Sequence, residues 1–169
     1  LLEPHEDELY MMPDTSEMEA SVFDHCIHIL NRATTVGSHG LPLIGSGDWN
    51  DGMNRVGVEG RGESVWLAWF LVTTLRRFAD RAEAKGYSAS AASFRKKADA
   101  YVSAIEQTSW DGEWYRRAYY DDGAPLGSHV NTECRIDSIA QSWSVISGAG
   151  DPNRRKIALA SLHQHLVRE

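Results

Sequence analysis

The sequence predicts an all-α fold with long functional loops and a short irregular or β excursion near residues 110–130. Three observations carry that expectation. Apolar residues recur at helical spacing in several stretches, the segments between them are glycine-rich or aromatic, and no run of buried strands alternates with helices as a parallel sheet would require. A chain of 169 residues with 42% hydrophobic content is long and apolar enough for one core, so disorder is excluded. One domain covering residues 1–169 is expected. The chain opens without Met and closes on "LASLHQHLVRE", a helical pattern lacking a glycine stop, so this domain is expected to be truncated at both ends.

Asp14-Thr15-Ser16, with Glu17 and Glu19, reads as cap and acidic first turn of a helix whose apolar side carries Val22, Cys26, Ile29 and Leu30. Gly37 reads as its stop. From Ser38 to Gly62 glycines crowd and no period is sustained, the composition of a long ordered loop of the kind that carries function. "GESVWLAWFLVTTLRRFADRAEAKG" then reads as a helix with a buried first half, placing Trp66, Trp69 and Phe70 in the core. Tyr87-Ser88 opens the next helix, to about Gln107, with Ala92, Phe94, Ala98, Tyr101, Val102 and Ile105 on one face. "WDGEWYRRAYYDDGAPLG" holds a D-G turn, an aromatic run and a D-D-G turn, and supplies the excursion. A further helix begins near Arg135 in "RIDSIAQSWSVISGAG", and Asp151-Pro152 takes the N-cap and N1 positions of the last.

Composition excludes several functions. The net charge is -7 and basic residues form only short clusters, which disfavours nucleic acid as a partner. No stretch approaches about eighteen uninterrupted apolar residues, and the opening "LLEPHEDELYMM" is acidic where a signal peptide is basic, so neither a membrane segment nor an export signal is expected. Cys26 and Cys134 lie far apart inside apolar patterns, reading as buried free thiols in a reducing, cytoplasmic compartment. Asp48, Asn50 and Glu59 match three positions of a calcium loop, but Gly52 and Met53 stand where a ligand and the turn glycine belong. His25 and His28 lack a third zinc ligand, so no metal site is expected. Patterns for a serine nucleophile or a nucleotide loop are absent.

"IGSGDWNDGMN" suits carbohydrate chemistry. Sugars are held by aromatic faces and by carboxylates and carboxamides that bond hydroxyls, and cleaving a glycosidic bond needs a carboxylic acid to protonate the leaving oxygen. Asp48 and Asp51 lie close enough in a tight turn for their charges to interact, and the less solvated one is expected to move toward a general acid's range. A purely structural turn stands as the alternative. Two residues outside the loop invite two readings each. Glu63 fits either a helix-dipole cap or a sugar ligand. Gln141 fits either a substrate contact from an inner helix or a core hydrogen bond, and the "WYRRAYY" aromatics more often simply pack.

The stretch "TVGSHGLPLIGSGDWNDGMNRVGVEGRGESVWLAWFL", followed by "GEWYRRAYYDDG" and "RIDSIAQSWSVISGAG", resembles the catalytic region of glycoside hydrolase family 94 from about Asp14 to Gly150. It is most similar to the phosphorylase-like C-terminal part of cyclic beta-1,2-glucan synthases and more distantly to cellobiose and chitobiose phosphorylases. The resemblance implies part of an (alpha/alpha)6 barrel. A barrel needs about twelve helices, and at usual lengths this chain should hold about five. It also implies Asp51 as the general acid, Trp49 lining the sugar site, and Asp48 and Asn50 holding the loop or a hydroxyl. Arg117, near Tyr115, is placed beside the pocket by the same analogy, and Glu63 and Gln141 join the substrate-binding set. The expected partners are a beta-linked glucoside or glucan, inorganic phosphate as co-substrate without a further cofactor, and the remainder of the parent polypeptide, which the resemblance allows to associate with the inner membrane. The family holds phosphate with a histidine and a Thr-Gly pair lying beyond this chain, and His129 and Thr132 are not assigned to that role. The alternatives are an inverting hydrolase on the same barrel, with Glu63, Glu113 or Glu133 as second carboxylate about 6.5–9.5 Å from Asp51, and a non-catalytic carbohydrate-binding helical module.

Overall fold

A computed structural model describes Met12 and residues 14–168, so the acidic opening read against a signal peptide lies largely outside the described residues. Five α-helices dominate: α1 Val22–Ala33, α2 Val65–Ala84, α3 Ser88–Ala104, α4 Ser138–Ile146 and α5 Pro152–Leu166. Three two-residue strands, β1 Glu63–Ser64, β2 Ala118–Tyr119 and β3 Pro125–Leu126, form an antiparallel sheet in the order β1-β2-β3. The excursion is therefore β in part. Its third strand comes from Glu63-Ser64, where a helix start was expected.

The core is built on α2 and α3. Leu71, Val72, Leu75 and Ala79 of α2 meet Ala91, Phe94, Ala98 and Tyr101 of α3, all buried, and the alanines let the two backbones approach closely. Ala92 is exposed and Ala91 takes its expected place, a shift of one position on the helix. Beyond Ala104 the chain loosens into a π-helical turn over Ile105–Ser109, then leaves for the sheet. Phe70 is also corrected: Trp66 and Trp69 are buried, but Phe70 is 38% exposed, at the edge of a cluster with Trp66 and Trp143.

Helix α1 departs most from expectation. Its N-cap is Ser21, whose hydroxyl oxygen accepts from Asp24 N at 3.1 Å, and residues Asp14 to Ala20 precede it without regular structure. Ser16-x-x-Glu19 and Ser21-x-x-Asp24 both spell a capping pattern, and tertiary packing selects the second. Phe23, two residues past that cap, stacks on Phe78 of α2 at 4.9 Å and tilts against Tyr87 at 5.0 Å. The buried side is Phe23, Ile27 and Leu30, while Val22 and Ile29 face solvent. The helix ends at Ala33 with Thr34 as cap, short of Gly37.

The last two helices begin on aspartates. Asp137 caps α4 by accepting from Ile139 N at 2.7 Å, two residues later than the expected start at Arg135. Asp151 accepts from Asn153 N and Arg154 N, with Pro152 opening α5 as expected. Both cysteines are free, Cys26 half-buried and Cys134 exposed, which corrects the expectation that both are buried. Cys134 adopts φ 48° outside any helix, so the apolar pattern around it never becomes a packed face.

Candidate active site

The Ser38–Gly62 loop is irregular apart from one 3-10 turn at Asp51–Met53 and a bridge between Leu43 and Glu63, and it is fastened at both ends by carboxylates, Glu63 buried and Asp121 half-buried. Glu63 fastens the start. Its carboxylate, 1% exposed, accepts from His39 N, Leu41 N and Ser38 Oγ, and lies 2.5 Å from His39 Nδ1. The His39 ring stacks on Tyr119 at 3.8 Å, and Gly37 has no Cβ because one there would collide with the Glu63 carboxyl. Asp121 fastens the end, accepting from Glu59 N, Arg61 N and Gly62 N at 2.8–2.9 Å. Burial pushes the Asp121 carboxyl up, but the three amides outweigh it and hold the group below the usual carboxylate range. Sequence reasoning saw Asp121-Asp122-Gly123 only as a turn. Asp122 makes the turn, accepting from Ala124 N, and Asp121 is thereby aimed at the loop.

Between these fastenings lies Asp48-Trp49-Asn50-Asp51. The Asp48 side chain is fully buried. Its Oδ1 accepts from Asn50 N at 3.1 Å and Arg117 Nη2 at 2.9 Å, and its Oδ2 accepts from Ser64 Oγ at 2.8 Å and lies 2.7 Å from the same Nη2. Asn50 Oδ1 in turn accepts from Gly52 N at 3.1 Å and caps the 3-10 turn. Met53 on that turn is buried against Ile44, Val56 and Ala118, which seats it on the sheet. Trp49 is 68% exposed. Asp51 is exposed, and its carboxyl accepts no hydrogen bond from the described residues. Asp48 is the less solvated of the two aspartates, and Arg117, Ser64 and Asn50 occupy its oxygens.

A cavity of about 350 Å³ opens beside this turn, lined by Asn50 and Gly52 on either side of Asp51 and by Arg55, Arg117, Tyr120 and Asp137, among others. Arg117 is 1% exposed, and its Nε lies 3.5 Å from Asp137 Oδ2. Gln141 sits away from this cavity. It is fully buried, accepts from Tyr115 N at 2.8 Å and donates to Tyr115 O at 2.7 Å and to Asp137 O, locking the excursion to α4. Of the residues the sequence gathered, Asp48 and Arg117 are paired and Asn50 and Arg117 line the cavity, Trp49 and Asp51 stand exposed on the same turn, and Glu63 and Gln141 are enclosed in anchoring roles. Glu63 is not the α2 cap either, because Ser64 accepts from Leu67 N in that position.

A second carboxylate the sequence did not single out organises the far side of the excursion. Asp111 accepts from Arg116 Nε, Ser128 Oγ and His129 N, and lies 2.7 Å from His129 Nδ1. Burial pushes its carboxyl up, and these bonds outweigh that and keep it below the usual range.

Comparison with known proteins gives the family. Residues 4–169 match the family model of the glycosyl hydrolase 94 superfamily, catalytic domain. A protein of Rhizobium meliloti named cyclic beta-(1,2)-glucan synthase NdvB is 48% identical over 98% of this chain, and the chain spans 6% of that relative's length. Cellobionic acid phosphorylase of Neurospora crassa is 34% identical over 92% of the chain, which spans 20% of it. Solabiose phosphorylase of Paenibacillus borealis is 32% identical over 92% of the chain, with the same share of the relative. In structure, a GH78-family rhamnosidase of Bacillus sp. GL1 superposes with a TM-score of 0.64 over 85% of this chain and 15% of its own, at 21% identity, a likeness of fold alone. No helix among the described residues is long and apolar enough to cross a membrane. The chain belongs to the glycosyl hydrolase 94 superfamily, as a helix-rich part of its catalytic domain.

Proposed function

We propose that this chain carries the proton donor of an inverting glycoside phosphorylase, or of the phosphorolytic part of a cyclic beta-1,2-glucan synthase, acting on beta-linked glucosides. The observation that carries the reading is the contrast within one turn: Asp48 is fully engaged, and Asp51 is exposed and unbonded between Asn50 and Gly52, which line a cavity. Asp51 hands its proton to the glycosidic oxygen as the bond from that oxygen to the anomeric carbon breaks. Inorganic phosphate bonds to the same carbon from the opposite face, giving an inverted sugar 1-phosphate and a free alcohol. Phosphate is already an anion, so one protein carboxylic acid suffices and no further cofactor takes part. Trp49, exposed next to the donor, offers its face to the sugar.

The phosphate ligands and the helices that would complete an (alpha/alpha)6 barrel belong, in this proposal, to the remainder of the parent polypeptide. That protein acts in the cytoplasm, at the inner membrane where a synthase region accompanies it. The hydrolase reading is weaker because Glu63, its first candidate for a second carboxylate, has its oxygens occupied by Ser38, His39 and Leu41. The test is Asp51→Asn in the full-length protein, assayed for sugar 1-phosphate released only when phosphate is added. Turnover should fall by about two to four orders of magnitude with binding retained. A variant within about threefold of wild type would remove Asp51 from the role.

A further inference from the structure

One guanidinium joins three pieces of chain that lie far apart in sequence. Arg117 Nη2 bridges the two Asp48 oxygens at 2.9 and 2.7 Å, its Nη1 donates to Ser64 Oγ at 3.2 Å, and its Nε lies 3.5 Å from Asp137 Oδ2. Ser64 is the N-cap of α2 and Asp137 the N-cap of α4, so both helix starts are referred to the same side chain. The base of that side chain is fixed as well: Arg117 N donates to Leu126 O, and Val65 N donates to Arg117 O. From Asp48 the order passes along the chain, through the bond from Asn50 N to Asp48 and from Gly52 N to Asn50, to the peptide carrying Asp51. The Arg117 side chain borders the cavity but is only 2% exposed, so it offers a ligand almost no surface, and its Nε is buried without a hydrogen-bond partner.

We infer that Arg117 is a positioning residue for the proton donor: it acts through Asp48, holding the Asp51 turn against the first turns of α2 and α4, and does not touch substrate. The inference rests on the reading of Asp51 given above. A general acid works only within hydrogen-bond reach of the oxygen it protonates, and a displacement of about 1 Å can cost roughly a hundredfold in rate. Lysine is a poor substitute at such a site, since a single ammonium cannot reproduce a fork that meets Asp48 and Ser64 together.

The experiment compares leaving groups. Arg117→Lys, Asp48→Asn, their double variant and Asp51→Asn are made in the full-length protein and assayed for phosphorolysis of an unactivated beta-linked glucose disaccharide and of 2,4-dinitrophenyl beta-glucoside. The dinitrophenolate departs without protonation, so loss of proton donation spares that substrate. Arg117→Lys should lower kcat on the disaccharide roughly ten- to a hundredfold and on the dinitrophenyl glucoside less than about threefold, with KM nearly unchanged. The double variant should be no worse than the worse single, because both residues act along one path. Ser64→Ala, which removes a donor to Asp48, the acceptor of Arg117 Nη1 and the α2 cap but keeps the ion pair, should show the same leaving-group pattern on a smaller scale and serves if the lysine variant does not fold. Equal loss on both substrates overturns the inference, as does a raised KM with kcat unchanged. Asp51→Asn tests the underlying reading separately: if it retains disaccharide turnover, Asp51 is not the donor. If it shows the leaving-group pattern and Arg117→Lys does not, only the positioning role fails.

Discussion

Replacing Asp48 by asparagine keeps the shape of the side chain and strips Arg117 of its principal counter-charge. Both side chains are at most 2% exposed, so solvent cannot screen the change, and breaking a buried pair on one side costs about 3–5 kcal/mol. Asp137 remains 3.5 Å from Nε and Ser64 remains on Nη1, which places the expected cost at the low end, about 3 kcal/mol. The cost should be local, because the loop is held separately by Glu63 and Asp121 and the α2–α3 core does not depend on it. At about 1.4 kcal/mol per tenfold, the opening equilibrium of the stretch around Asp48 should rise on the order of a hundredfold. Hydrogen-exchange mass spectrometry on the full-length protein reads this directly: peptides covering residues 45–56 should lose protection by that factor, and peptides within α3 should not change. Unchanged exchange over residues 45–56 would mean that the ion pair does not hold the turn, and global loss of protection would mean that it supports the core.

Two further outcomes follow from the geometry. The Asp111 carboxyl is held below its unfolded value of 3.8, so it contributes stability that is present above pH 3.8 and lost as pH falls through the lower folded value; protection of residues 111–131 should decline over that acid range in wild type and be flattened in Asp111→Asn. Phe70, Val145 and Ile146 are 38%, 40% and 60% exposed beside Trp143, so the isolated chain should self-associate in a concentration-dependent way by analytical ultracentrifugation, and Phe70→Ser with Ile146→Ser should reduce it; monodisperse wild-type monomers would refute this.

The helices were legible because their signals are local. Apolar spacing over residues 65–84, the Asp151-Pro152 start and the turn aspartates of the excursion all act within a few residues. What the sequence left ambiguous needed partners from afar. The choice between the Ser16 and Ser21 caps depends on Phe78, and the burial of Glu63 depends on amides some two dozen residues earlier. Phe70 was assigned to the core because the period of α2 places it next to Trp69. The period gives a face, whereas the face's edge is set by where α4 and Trp143 stop covering it.

The roles of the two aspartates are a sharper case, since part of the answer was written locally. Asp48 and Asn50 each fold back to accept from the amide two residues on, Asn50 N and Gly52 N, which makes two Asx turns in succession. These bonds tie the Asp48 and Asn50 side chains to the backbone and leave Trp49 and Asp51 exposed without such a tie, although Asn50 is exposed as well. The glycine at 52 contributes because its amide must come close to Asn50 Oδ1, and a Cβ there would crowd the same atom. Spacing alone therefore separates the side chains tied to the backbone from those left free of it in this turn. It does not disclose that the Asp48 carboxylate meets a guanidinium 69 residues away, and that long-range pair is what ties the turn to the rest of the fold. An engaged aspartate at one end and a free one at the other are two halves of one device: the first holds the backbone so that the second can be left unbonded.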